Sequence, residues 1–155
     1  MAPSNLIVDI QITAGEQFRV KVGDEVRTGE LYYLGIDPRN QDYDCPSSVG
    51  LMRLIDGWIQ TILSNPDGCI FYLPFDFSDE FTRWMACEKS GSEITVVSGW
   101  ADVEGWAFSP SDFTEHSRQL PGFRPDEPLS PQTFYTPRFL SDLRRSRALG
   151  KPSRR

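Results

Sequence analysis

Residues 47 to 64 constrain the fold more than any other stretch of the chain. Val49, Met52, Ile55, Trp58, Ile59 and Ile62 recur at spacings of three and four, and Leu51, Leu54 and Leu63 widen the stripe. Arg53, Asp56 and Gln60 supply an opposite polar face. That period predicts an α-helix with one buried side. Ser47 or Ser48, after Pro46, is expected to cap its first turn, and Asn65-Pro66-Asp67-Gly68 to end it. A helix with one wide apolar face needs a surface to cover, and strand patterns lie on both sides of it.

Before the helix, Leu6, Val8, Ile10 and Ile12 point one way, with Asp9 and Gln11 opposite. After a turn at Ala14-Gly15-Glu16, Phe18, Val20 and Val22 repeat the period of two. Gly23-Asp24 and Thr28-Gly29 read as punctuation of a connection leading to a third, more central strand at Glu30 to Ile36. After the helix come strand patterns at Cys69 to Phe77, Phe81 to Glu88 and Glu93 to Ser98. Pro74 cannot donate to a ladder, so the first of these is interrupted or lies at an edge there. Lys89-Ser90-Gly91-Ser92 predicts a hairpin loop.

Six of the 12 prolines fall between Pro110 and Pro137, which predicts an irregular wrapping segment with one helical turn near Ser109 to Asp112. A last helix is expected to start with Thr136 as cap and Pro137 at its first position, bury Phe139, Leu140 and Leu143, and end at Gly150. The order βββ-α-βββ-α indicates an α+β fold: one mostly antiparallel sheet of about six strands with a main helix across it. Residues 1 to 150 form one expected domain, with a basic tail at 151 to 155.

The formal net charge of −6 is an average over two unlike regions. Arg138 to Arg155 carries seven basic residues against the single acid Asp142, a tail of +6. Residues 1 to 137 hold 9 basic and 21 acidic residues, a body of −12. Such a body repels nucleic-acid phosphates and attracts a basic protein. The basic last helix also fits the acidic body of a second copy, so a homodimer is one expected assembly. No apolar run reaches the roughly 18 to 20 residues that span a bilayer, so no membrane contact is expected. Met1-Ala2-Pro3-Ser4-Asn5 lacks the basic stretch and apolar run of a secretory signal. Cys45, Cys69 and Cys87 are too few for a disulfide framework, which together with that N-terminus suggests a cytoplasmic protein. Cys69 and Cys87, inside strand patterns, read as small buried residues.

His116 is the only histidine, which removes sites needing two, and it lies in the polar stretch Phe113 to Arg118, where a surface position is expected. No phosphate-binding glycine loop, nucleophile elbow or paired CxxC is present. Asp37-Pro38-Arg39-Asn40-Gln41-Asp42-Tyr43-Asp44 has the look of a calcium loop without its sixth-position glycine or its distal glutamate. Neither a metal nor a cofactor is expected.

Carboxylates are the abundant reactive group, and two segments place them among aromatics. Pro74 to Phe81 sets Asp76, Asp79 and Glu80 beside Phe75, Phe77 and Phe81 at a strand end or turn. In Gly99 to Phe108, Asp102 and Glu104 share a parity with Trp100, Trp106 and Phe108, so an extended backbone puts all five on one face. Exposed, that face suits an interface in which a partner's Arg or Lys pairs with an acid and stacks on a Trp ring. Buried, the tryptophans join the core and the acids cap a turn. A carboxylate pair can also serve acid/base hydrolysis.

A small acidic α+β chain containing Gly29 to Gly35, Leu73 to Glu80 and Glu104-Gly105-Trp106 resembles the immunity proteins of bacterial polymorphic-toxin systems, in size, charge, layout and aromatic-acidic motif style. The resemblance covers most of residues 5 to 145. It implies a non-enzymatic protein that binds a cognate toxin domain and covers its basic active site. The expected contact residues are then Asp76, Asp79, Glu80, Trp100, Asp102, Glu104 and Trp106. The alternatives are a small carboxylate-dependent hydrolase and a small-ligand-binding regulatory domain with the Pro-rich segment as a lid.

Overall fold

Alternating apolar residues on both sides of one long amphipathic helix fold into two antiparallel sheets rather than the single sheet expected. The computed structural model describes residues 6–13, 17–30, 46–77, 80–104 and 108–149. In chain order these form β1 (Val8–Ile12), β2 (Gln17–Val22), β3 (Glu25–Glu30), α1 (Ser47–Ser64), β4 (Ile70–Phe77), β5 (Thr82–Ser90), β6 (Glu93–Ala101), α2 (Thr114–Arg118), β7 (Arg124–Pro125), β8 (Gln132–Tyr135) and α3 (Thr136–Leu149). The fold is α+β: one sheet is β1-β2-β3, the other β4-β5-β6 with β7 and β8 both paired to β6. The Asp37–Asp44 stretch and most of the expected Glu30–Ile36 strand lie outside the described residues.

A strand, β3, lies where the sequence pattern suggests only a connection. Gly23, at φ +59°, makes a tight turn with Asp24, so Val22 pairs directly with Glu25 and the strand runs through Gly29. Its pattern is inverted. Register with Val22, Val20 and Phe18 puts Glu25, Arg27 and Gly29 on the sheet's apolar face, while Val26 is 57% exposed.

β1 is an edge strand, and α3 covers its free amides. Val8 and Ile10 turn their N–H groups away from β2; Asp142 Oδ2 accepts from Ile7 N at 2.6 Å and Val8 N at 3.3 Å, and Ser146 Oγ accepts from Ile10 N at 3.2 Å. Two side chains one helical turn apart thus satisfy three backbone donors that would otherwise stay unpaired or recruit another strand.

The two sheets meet where β3 approaches β4. A Cβ on Gly29 would lie 2.2 Å from the Phe75 carbonyl oxygen, so only glycine permits this approach. Instead of a continued ladder, Asp76 Oδ1 accepts from Glu30 N at 3.1 Å. The β4 register breaks between Pro74 and Asp76, as expected of a proline in a strand, and Trp58 of α1 donates its indole N–H to the Pro74 carbonyl at 2.8 Å. One core joins both sheets, α1 and α3: Leu54, Trp58, Ile62, Phe71, Leu73, Phe18, Val20, Phe139 and Leu143 are all buried. Burying side chains such as Phe71, Leu73 and Phe139 contributes about 1.5–3 kcal/mol each.

The Pro-rich segment is more regular than expected. It holds α2 and two short strands that complete opposite ends of β6, with β8 on Glu93 to Val96 and β7 on Gly99 and Trp100. Ser109 and Asp112 form an isolated β-bridge, and the helical turn begins at Thr114. Neither long helix is capped as expected. Pro46 occupies the cap position of α1 with no side-chain bond, and Thr136 Oγ1 is buried without a hydrogen bond among the described residues. His116 is half-buried against the rings of Trp84 and Phe108. Cys87 is buried, which pushes its thiol far up from the usual range, whereas Cys69 is exposed just before β4.

Candidate functional site

One face of the larger sheet changes character along its length. Register places Phe71, Cys87 and Val96 on that face, then Leu73, Met85 and Ser98, then Asp76, Arg83 and Trp100. Apolar side chains give way to charged ones at the end where β3 brings Glu25 and Arg27. A cleft of about 480 Å³ opens there, lined by Glu25, Arg27, Phe75, Asp76, Arg83 and Asp126. Arg27 pairs with Glu25, and Arg83 pairs with Asp126 from the Pro-rich segment while lying over the Phe75 ring at 5.5 Å. Burial lowers the Arg27 guanidinium from its usual value, against the pull of Glu25 and Asp126. Burial also raises the Asp76 carboxyl, helped by the nearby Glu30 charge and opposed by the Glu30 N–H bond and Arg83.

Arg83 also lines a second, more apolar notch of about 330 Å³ with Phe81 and Trp100. These two rings meet edge to face at 6.0 Å, and the Arg124 guanidinium lies 4.9 Å from the Trp100 ring centre. Phe81 is 42% exposed.

The expected site residues are partly brought together. Asp76 sits within β4 at the bulge, half-buried in the cleft, and Trp100 sits half-buried at the notch. Glu80, Asp102 and Glu104 are exposed where the β5–β6 ladder ends. Asp79 and Trp106 lie outside the described residues. Of the common face expected from Trp100 to Phe108, the described aromatics Trp100 and Phe108 do not pack together. β6 stops at Ala101, opposite Thr82 where its partner strand begins, and among the described residues no ladder continues to Glu104. Phe108 turns instead to Phe77 and Trp84, with ring centres 5.0 Å from each.

Reading of the sequence missed Glu25, Arg27, Arg83 and Asp126. Arg83 did carry a signal, a lone charge in the apolar run Phe81 to Cys87, which asks for a partner. Glu25 and Arg27 carried none, because their strand exposes its valine. Among the described residues, no group of three or more His, Cys, Asp or Glu is placed to hold a metal, and no helix is long and apolar enough to cross a membrane. No protein-family model matches the chain, and neither a curated protein nor a solved structure matches it.

Proposed function

We propose that the chain is an immunity-type binder that neutralises a basic toxin domain in the cytoplasm by occlusion, without catalysis of its own. The observation that carries this reading is the end of the larger sheet, where Phe81 and Trp100 line the notch and Glu80, Asp102 and Glu104, close to them in the chain, are exposed. Aromatic anchors in the company of exposed acids are a composition suited to a basic partner. A body of −12 steers such a partner in and speeds its capture. The same charge disfavours nucleic acid as the direct ligand. Asp76, set back in the cleft, serves this surface as a counter-charge rather than as a first contact.

The test is to co-produce the chain with the toxin domain encoded beside it, then follow complex formation and growth. A stable complex and restored growth are expected. No complex together with unrelieved toxicity overturns the proposal.

A further inference from the structure

The charges of the β3–β4 cleft are not exhausted by their own ion pairs. The Arg27 side chain is only 9% exposed, yet its Nη1 makes no hydrogen bond among the described residues, and neither does the buried Nε of Arg83. Two buried guanidinium donors call for acceptor oxygens. Asp76 calls for the opposite. Its Oδ1 accepts from Glu30 N, and among the described residues the carboxylate has no ion-pair partner. A simple anion meets Glu25 and Asp126 on entry, and a simple cation meets Arg27 and Arg83. A ligand carrying both charges a few bonds apart satisfies both halves. Arg83 also forms the wall shared with the Phe81–Trp100 notch, so a head group in the cleft continues into an apolar slot. The volumes, about 480 and 330 Å³, suit a small molecule.

We propose that this cleft binds a zwitterionic α-amino acid with an apolar side chain. Its carboxylate sits on Arg27 and Arg83, its ammonium on Asp76, and its side chain against Phe81 and Trp100. The Glu25–Arg27 and Arg83–Asp126 pairs hold the two guanidiniums in place for the carboxylate, as fixed forks suited to planar oxyanions. An ammonium opposite Asp76 also relieves the burial of that carboxylate. The site stands independently of the partner proposed above, although the two share the Phe81–Trp100 rim.

The test titrates L-phenylalanine into the full chain by calorimetry and by amide chemical-shift mapping. Phenethylamine, which lacks the carboxylate, 3-phenylpropanoate, which lacks the ammonium, and L-alanine serve as comparators. L-phenylalanine is expected to bind saturably and about tenfold or more tighter than each comparator, as the loss of one charged hydrogen-bonding group, or for L-alanine of the apolar ring, implies. Asp76→Asn and Arg83→Gln should each weaken it. Should either variant fold poorly, Trp100→Ala at the rim keeps the test alive, since it removes the preference for L-phenylalanine over L-alanine. Absence of saturable binding at millimolar ligand, equal binding of phenethylamine or 3-phenylpropanoate, or shifts clustered away from β3, β4 and β5 would overturn the assignment.

Discussion

Replacing Asp142 by Ala is expected to be among the most damaging single changes to the fold. Asp142 is only 3% exposed and its carboxylate accepts three bonds, from Ile7 N at 2.6 Å, Val8 N at 3.3 Å and Arg138 Nε at 3.4 Å. The Arg138 contact spans i to i+4 with an exposed arginine and contributes about 0.3–0.5 kcal/mol. The two backbone donors decide the outcome. Val8 is fully buried and Ile7 half-buried, and each stranded N–H costs about 1–3 kcal/mol. The sum is a loss of about 2–6 kcal/mol, a large share of the 5–15 kcal/mol typical of a domain. Asp142→Asn keeps one acceptor oxygen and should lose less, and Ser146→Ala, which strands only Ile10 N, about 1 kcal/mol. Urea unfolding gives the size of each loss. Amide hydrogen exchange gives its place, with Val8 and Ile10 losing protection first in both Ala variants. An Asp142→Ala loss below about 1 kcal/mol, or unchanged exchange along β1, would refute the claim that α3 seals this edge.

Further expectations follow from other sites. Gly29→Ala forces a Cβ to within 2.2 Å of the Phe75 carbonyl oxygen, a backbone atom that cannot swing aside, so thermal melting should show a loss of about 2–4 kcal/mol. Asp76 has a folded-state carboxyl raised above its ordinary value, so the folded chain holds its proton more tightly than the unfolded one. Its ionisation therefore subtracts stability as pH rises above the usual carboxylate range. Asp76→Asn, which keeps the acceptor for Glu30 N, should be at least as stable as the parent at pH near 7, with the gap closing toward pH near 4 in paired urea titrations. Phe81→Ala should leave melting nearly unchanged, since the ring is 42% exposed, while weakening any complex formed through the notch.

What was legible in the sequence is what periodicity encodes. α1 was readable because its apolar stripe continues for five turns without a competing pattern, and β1, β2 and the β4–β5–β6 hairpins because each keeps period two or a turn signal. β3 was not, because Val26 faces solvent while Arg27 faces inward, where Glu25 offsets its charge. That inversion reflects tertiary pairing, which no local pattern carries. The strands of the Pro-rich segment were hidden for a related reason: β7 and β8 are short and exist only because β6 offers them an edge. Of the candidate site, Asp76 and Trp100 were visible as acid and aromatic in unusual company. The companions of Asp76, Arg27 and Asp126, lie 49 and 50 residues from it in the chain, close only once β3 and the Pro-rich segment have docked.

Whether acids at the end of the larger sheet form a contact surface for a basic protein can be read from one triple variant. Glu80, Asp102 and Glu104 are all exposed, so changing all three to Ala should leave the melting temperature of the free chain where it was. Affinity for the neighbouring toxin domain, measured by calorimetry at low salt, should fall by about tenfold or more, chiefly through slower association. Unchanged affinity would rule these carboxylates out of the contact, and a melting temperature that drops in step with affinity would assign them a structural role.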